Sequence, residues 1–324
     1  MGSDIMVSVV IGTYNHGQFI ADCIKSVLNQ SYKRFEIIVV DDGSTDNTSE
    51  VIKQFQGNIT YIYQKNSGRA ASRNAGIRQA KYDWVAFLDA DDLWVQDKLE
   101  KQVAAIMSHP NIDLLVTNAC WFNEKGIVKA DYFQTMNLLP AQKQERIGSL
   151  VIFEERLYSL FIDENFVNLS SVLVRKECLT KEGLFDERLP RAQDRDLWLR
   201  MSRHCNFAAI YEILTHSRMH TLSDGPRTIV PYLSRVTLFE KAYHENGDFE
   251  NKYRNQLATR VGSCHFELGH FYFFRENNYP NARKEFQLSH KFGHRPFVLY
   301  LYMMATYVPK SFIIGLRKAK NSFK

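Results

Sequence analysis

Apolar residues along this chain come first in short unbroken runs. Val7-Ser-Val-Val-Ile11, Phe35-Glu-Ile-Ile-Val-Val40, Thr60-Tyr-Ile-Tyr63 and Trp84-Val-Ala-Phe-Leu88 each read as a buried strand. Between them, apolar positions fall at three- and four-residue spacing, which predicts helices from about Gln18 to Asn29, Asn47 to Phe55 and Ala70 to Gln79. Strand–helix alternation with near-continuous apolar strands predicts an α/β fold with a mostly parallel sheet flanked by helices. From about Asn111 to Arg200 the pattern is mixed. Leu114–Thr117, Ser170–Val174 and Phe207–Leu214 read as strands, Glu155–Ile162 and Gln193–Met201 as helices, and Gly126–Met136 as a polar excursion. After Gly225 the spacing is helical throughout, over Tyr232–Tyr243, Asn251–Phe274 and Asn281–Phe292. The expectation is therefore a catalytic body over 1–225 and an all-helical extension over 226–324.

The strands end on polar residues of one kind. Thr13-Tyr14-Asn15, Asp41-Asp42 and Asp89-Ala90-Asp91-Asp92 follow three of the four runs. In a parallel sheet ligands bind beyond the carboxyl ends of the strands, so these groups are expected at one edge. Carboxylates as close as Asp89, Asp91 and Asp92 repel one another unless a positive charge lies between them. A hard divalent cation with oxygen ligands is the simplest neutraliser, and Mg²⁺ typically binds one or two carboxylates plus substrate phosphates. The plainer reading makes Asp91 or Asp92 the cap of a helix from Leu93 to Met107, which accounts for one carboxylate and not for three. A dinucleotide site is excluded because Gly12-Thr-Tyr-Asn-His-Gly17 lacks the required glycine spacing.

Charge changes the picture in one respect. The net charge is +5, but the stretch after Gly225 holds 16 Lys+Arg against 7 Asp+Glu, while the body is slightly acidic. Phe297–Lys324 joins an aromatic, Met-rich stretch to Lys310, Arg317, Lys318, Lys320 and Lys324. That character suits either a contact with an anionic membrane face or a helix-packing or dimer interface. No apolar run is long enough to cross a bilayer. The five cysteines are scattered without a C-x-x-C pair, and the first residues do not resemble a secretory signal. Both features predict reduced thiols and a cytoplasmic location, with the inner membrane face as a place of work. Nucleic-acid binding is not expected, because no basic–aromatic platform accompanies the basic excess.

Taken in order, Val7–Asn15, Asp41-Asp-Gly-Ser-Thr-Asp46, Asn66-Ser-Gly-Arg69-Ala-Ala-Ser-Arg73-Asn-Ala-Gly76, Asp89-Ala-Asp91-Asp-Leu-Trp94 and Leu184-Phe-Asp…Gln193-Asp194-Arg-Asp-Leu-Trp-Leu-Arg200 resemble the family 2 glycosyltransferases with the GT-A fold. The resemblance covers about residues 5 to 222. It implies a metal-dependent, inverting transfer from a nucleotide-diphosphate sugar to the hydroxyl of a glycan or lipid-linked acceptor, as in surface polysaccharide synthesis. Thr13, Tyr14, Asn15, Asp41, Asp42, Arg69, Arg73, Asp89 and Ala90 would hold the nucleotide sugar. Asp91 and Asp89, with His220 after the last strand, would hold Mn²⁺ or Mg²⁺. Asp194 would be the base, and Gln193 would stand on the acceptor side.

Each assignment has a plain alternative: a solvated charge for Arg73, a dipole-stabilised helix start for Asp194, and an ordinary loop residue for His220. One departure is clear, because the position before the base is usually Glu in this family and is Gln193 here. The absence of Q-x-x-R-W after Asp194 argues against a processive synthase. Two other classes compete, a sugar nucleotidyltransferase and an inactive glycan-binding relative. The first would need a Gly-rich basic loop after the first strand. The second is opposed by the intact Asp89, Asp91 and Asp194.

Overall fold

The computed structural model describes residues 5–139, 144–153, 157–219 and 228–308. The chain separates into two compact units, Met1–Asp224 and Gly225–Lys324. The first opens with β1 (Val7–Thr13), α1 (Ile20–Leu28), β2 (Phe35–Asp41), α2 (Thr48–Lys53), β3 (Thr60–Tyr63), α3 (Arg69–Gln79) and β4 (Trp84–Asp89). It continues with β5 (Leu93–Trp94), α4 (Lys98–Ser108), β6 (Leu114–Asn123), β7 (Gly126–Lys129), β8 (Gln144–Ile147), β9 (Leu150–Phe153) and α5 (Tyr158–Asp163). It closes with β10 (Leu173–Arg175), α6 (Lys176–Lys181), α7 (Gln193–Met201) and β11 (Phe207–Arg218).

These strands form one sheet in the order β3-β2-β1-β4-β10-β6-β11-β9-β8. The pairs β3-β2, β2-β1 and β1-β4 are parallel, and so is β6-β11, while β10 runs antiparallel between β4 and β6. Burial on both faces explains the apolar runs of β1, β2 and β4, whereas the edge strand β3 exposes Tyr61 and Tyr63. The α1 face formed by Ile20, Cys23, Ile24 and Val27 is fully buried against that core. α3 is different, for it buries Ser72, Arg73 and Asn74 beside Ala70, Ala71 and Ile77. Its close seat on β1 depends on Gly76, where a Cβ would come within 2.3 Å of the Val10 side chain.

Several boundaries move from those the pattern predicts. Leu93 and Trp94 do not begin a helix, because they pair with His216 and Thr215 of β11. The helix starts at Lys98 behind Asp97, so neither Asp91 nor Asp92 caps it. The strand that starts at Leu114 runs on to Asn123, and β11 runs to Arg218, because the two strands pair through residue pairs as late as Arg218 and Phe122. The first part of the helix predicted from Glu155 lies outside the described residues; the described helix is Tyr158–Asp163. Ser170 and Ser171 form a short 3-10 turn ahead of β10 rather than part of the strand.

The second unit contains α8 (Val230–His244), α9 (Asp248–Lys252), α10 (Arg254–Phe271), α11 (Tyr279–Lys291) and α12 (Phe297–Ala305), with a π-helical turn over Tyr272–Glu276. α10 and α11 approach closely at Gly269, where a Cβ would lie 2.6 Å from the Phe286 ring. Leu299, Tyr302 and Met303 of α12 join Phe273 and Phe286 in a small core. The opposite side of α12 shows Phe297, Tyr300, Leu301 and Met304 to solvent. The predicted packing of this aromatic stretch on the preceding helices therefore holds for one face only. The basic residues from Lys310 onward lie outside the described residues. No described helix is long and apolar enough to cross a membrane.

Candidate active site at the carboxyl ends of the central strands

Strand register brings the polar strand ends together. Thr13 pairs with Asp41 and Gly12 with Asp89, so the ends of β1, β2 and β4 lie side by side. Beyond β1 the chain turns through Asn15, whose φ of 56° is left-handed. Its amide donates to Ser44 Oγ at 2.9 Å, and its Oδ1 accepts from the Thr45 amide at 2.8 Å. Tyr14 stays exposed on this turn. Thr13 Oγ1 is buried at the site edge with no hydrogen-bond partner among the described residues. A buried hydroxyl left without a partner costs free energy, which marks this edge as built for a polar ligand.

Asp41 and Asp42 are both buried and both engaged. Asp41 accepts from the Ser44 amide at 2.8 Å and from the Tyr61 hydroxyl at 3.0 Å. Burial and that carboxylate push Tyr61 up to about 12. Asp42 accepts from Gln64 Nε2 at 2.7 Å and from the amides of Ser67 and Gly68 at 2.9 and 2.8 Å. Asp42 therefore shapes the loop that delivers Arg69 and Arg73 on α3, while Asp41 ties the Ser44 turn to β3.

The three carboxylates after β4 part company. Asp89 lies 2.7 Å from Arg73 Nη2, and Arg73 is buried, so its reading as a solvated helix charge fails. Partial burial alone would raise Asp89, but the guanidinium groups of Arg73 and then Arg69 outweigh it and hold the carboxyl below its usual range. Asp92 turns inward and accepts from Ser170 Oγ at 2.6 Å, Ser217 Oγ at 3.2 Å and the Arg218 amide at 2.8 Å. Burial first, then the charges of Asp91 and Asp89, push Asp92 well above the carboxylate range. Ser170 Oγ also accepts from the Asp89 amide at 3.0 Å, and Arg218 Nε donates to the Asp91 carbonyl at 3.0 Å. Asp92, Ser170 and Arg218 thus form the frame of the turn. Asp92 is the buried carboxylate of the three, and Ala90 is buried between Asp89 and Asp91.

The other wall comes from α7. Asp194 lies in the first turn of this helix, behind Ala192 in a left-handed conformation with φ 59°. Such a backbone costs about 1 kcal/mol or more for a non-glycine residue and is held by its surroundings. Asn74 of α3 supplies part of the hold, donating to the Phe185 carbonyl at 2.9 Å and accepting from the Phe185 amide at 3.0 Å. Arg195 donates to the carbonyls of Phe161 and Ile162, and Arg200 pairs with Asp196 at 2.7 Å. Arg191 precedes α7. Burial, then the positive charges of Arg69 and Arg73, lower it to about 10, while Asp89 and Asp194 pull the other way. Arg191 therefore lies within electrostatic reach of the α3 arginines and of both carboxylates.

Thr13, Tyr14, Asn15, Asp41, Asp42, Asp89, Ala90 and Asp91 thus stand at or just beyond the ends of β1, β2 and β4, with Arg69 and Arg73 of α3 acting on Asp89 and Asp194 of α7 acting on Arg191. Gln193 is packed away at 4% exposure. His220 lies outside the described residues. Arg191, Arg218, Ser170 and Asn74 escaped the sequence reading. Arg191 could have been suspected from its place two residues before Gln193; the other three carry no local signal.

The model of the family described as glycosyl transferase family 2 matches residues 8–163. An uncharacterized glycosyltransferase of Methanocaldococcus jannaschii is 32% identical over 238 residues, which span 71% of this chain and 74% of the relative. Among solved structures, residues 1–349 of S. aureus TarS in complex with UDP-GlcNAc superpose with a TM-score of 0.64 at 17% identity, covering 97% of this chain and 92% of that one. The mannosyltransferase PcManGT of Pyrobaculum calidifontis, in complex with GDP-Man and Mn²⁺, gives 0.57 at 18% identity, covering 100% and 82%. These likenesses establish the fold as the GT-A type, and with the family match and the archaeal relative they show that the chain belongs to glycosyl transferase family 2 and is a glycosyltransferase.

Proposed function

We propose that this glycosyltransferase moves one sugar at a time from a nucleoside-diphosphate sugar to an acceptor hydroxyl, with inversion and with the help of Mn²⁺ or Mg²⁺. The observation that carries the reading is that Asp89 pairs with Arg73 and feels Arg69, while Arg191 feels both of those arginines and the carboxylates of Asp89 and Asp194. Thr13, Tyr14, Asn15 and the Asp41–Asp42 edge take the nucleoside, with the exposed Tyr14 ring free to stack on the base. The UDP-GlcNAc bound by TarS and the GDP-Man and Mn²⁺ bound by PcManGT support this class of donor.

The donor set fits a hard cation, with two carboxylates on one turn; the neighbouring Cys23 thiol is buried and donates to the Asp89 carbonyl, so it does not join the set. Asp91 and the Asp89 oxygen not held by Arg73 would be its protein ligands, and it would offset charge on the leaving diphosphate. Arg69, Arg73 and Arg191 add positive charge on the same side. Asp194 accepts the proton of the acceptor hydroxyl as its oxygen bonds to the anomeric carbon. The bond from that carbon to the diphosphate breaks on the opposite face, and its electron pair leaves with the nucleoside diphosphate. Gln193 leaves the base without a charged neighbour on that side, while Asp196 is occupied by Arg200.

The acceptor is a glycan or lipid-linked saccharide at a membrane face. The exposed apolar side of α12 and the basic sequence that follows it support this site of action in the cytoplasm. Calorimetry and turnover with a nucleotide-sugar panel test the reading. Asp91→Asn should abolish turnover and the metal-dependent part of donor binding. Asp194→Asn should keep donor affinity while kcat falls by about 10²–10⁴. Normal transfer by Asp91→Asn, or collapse of donor binding in Asp194→Asn, would overturn the assignment of roles.

A further inference from the structure

A second cluster of ligand atoms lies at the opposite edge of the sheet. Arg175 pairs with Trp84, the first residue of β4, and Asp113 and Cys205 stand just ahead of β6 and β11. Asp113, Cys178 of α6 and Cys205 each place one carboxylate oxygen or sulfur within 4.8 Å of the other two. The Cys178 and Cys205 thiols are hydrogen-bonded to one another. The residues come from three separate segments, and backbone bonds knit those segments together. The Arg175 amide donates to the Asp113 carbonyl at 2.9 Å, and the Asp113 amide donates to the Asn206 carbonyl at 3.0 Å. Asp113 Oδ2 is oriented by the Asn206 amide at 2.8 Å, and Arg175 Nε lies 3.4 Å from Oδ1.

We propose that Asp113, Cys178 and Cys205 are three ligands of a thiophilic divalent cation, with zinc as the best match and water in the fourth position. A tetrahedral zinc with bonds of about 2.0–2.3 Å holds its ligand atoms roughly 3.5–3.8 Å apart, so the cluster needs only a small contraction. Charge also closes. Two thiolates and a carboxylate carry three negative charges, which the cation and the Arg175 guanidinium neutralise. Binding replaces two S–H bonds by two sulfur–metal bonds and releases two protons, with no change of oxidation state. Cys205 is buried, whereas Cys178 and Asp113 are half-buried, so the site has an inner anchor and an open side for entry. Soft sulfur ligands disfavour Mg²⁺ and Mn²⁺, so the two edges of the sheet sort hard from thiophilic cations. Occupancy would tie α6 to the turn between α7 and β11, far from the donor site.

Cobalt is the probe. Full-length protein, fully reduced and stripped with chelator, is titrated with Co²⁺ and then with Zn²⁺. The expected result is a thiolate-to-cobalt charge-transfer band that saturates at one equivalent, bleaches with Zn²⁺ and ignores excess Mg²⁺. Cys178→Ser and Cys205→Ser should each lose the band, and Cys23→Ser should keep it. Asp113→Asn should bind at least about tenfold more weakly, the smaller loss expected even for an outer-sphere partner. Circular dichroism of the near-isosteric serine variants separates a lost site from a lost fold. Absence of the band in folded, reduced wild type would overturn the proposal, as would its survival in the Cys178→Ser/Cys205→Ser double variant.

Discussion

Arg73 on α3 reaches Asp89 at the end of β4, with Nη2 2.7 Å from Oδ1. One ion pair thereby joins the helix that follows the Asp42-shaped loop to the turn that carries the metal-ligand candidate. Because Asp89 is 39% exposed, solvent screens the pair, and its contribution to stability is modest. Its contribution to geometry is larger. Arg73→Ala should raise the dissociation constant for nucleoside diphosphate by at least about tenfold while moving the unfolding midpoint little. Calorimetry and thermal unfolding on the same preparations check both halves.

Asp92 gives the opposite expectation. It accepts three hydrogen bonds, and burial raises its carboxyl well above the usual range, so a neutral amide of the same shape can take its place. Asp92→Asn should fold with nearly unchanged stability, whereas Asp92→Ala should lose about 1–3 kcal/mol by leaving Ser170, Ser217 and the Arg218 amide unpaired. Chemical denaturation distinguishes them, and equal loss in both variants would refute the framing role.

The second unit carries a pH dependence of known sign. His265 of α10 is 4% exposed at its side chain, with Nδ1 2.7 Å from Glu285 of α11 and Nε2 3.2 Å from Glu240 of α8. Phe292 stacks on its ring. Burial lowers a histidine, but the two carboxylates outweigh it and raise His265 to about 9. The folded value exceeds the ordinary one near 6.5, so the stabilisation is fully present below about 6.5 and is lost as pH rises through about 9. It amounts to roughly 3 kcal/mol at most. Unfolding of the full chain between pH 6 and 10, set against His265→Gln, should show the slope in wild type only.

α12 presents Phe297, Tyr300, Leu301 and Met304 on one side, with Phe297 79% and Met304 61% exposed. The spacing follows the helical repeat, and five basic residues without an acidic one come after it in sequence. Anionic vesicles should bind the protein at low salt, since each Lys or Arg near such a surface contributes about 1 kcal/mol. Phe297→Ser/Met304→Ser should reduce co-sedimentation several-fold. Dimerisation without vesicle binding would assign the same face to a second copy.

Much of this architecture is legible without coordinates. Three of the four apolar runs become β1, β2 and β4 because a strand covered on both faces must be apolar, while the fourth becomes the edge strand β3, with Tyr61 and Tyr63 exposed. Their polar ends meet because parallel strands put like ends at one edge. The helical extension is equally plain from its spacing, although its α12 face is seen as two-sided only when Leu299 is found inside and Phe297 outside.

What composition and spacing determined, then, was the identity of the layers and the edge where chemistry gathers. Tertiary structure decided which groups act there. Asp89, Asp91 and Asp92 are chemically alike in sequence, and burial alone sends Asp92 into the frame. Asn74 and Phe185 are 111 residues apart, yet their hydrogen bonds seat the segment that carries Arg191 and Asp194 opposite α3. Asp113, Cys178 and Cys205 are likewise scattered along the chain and meet only because β6, β10 and β11 share a sheet. Local sequence sets periodicity and burial preference, whereas such pairings depend on which strands become neighbours.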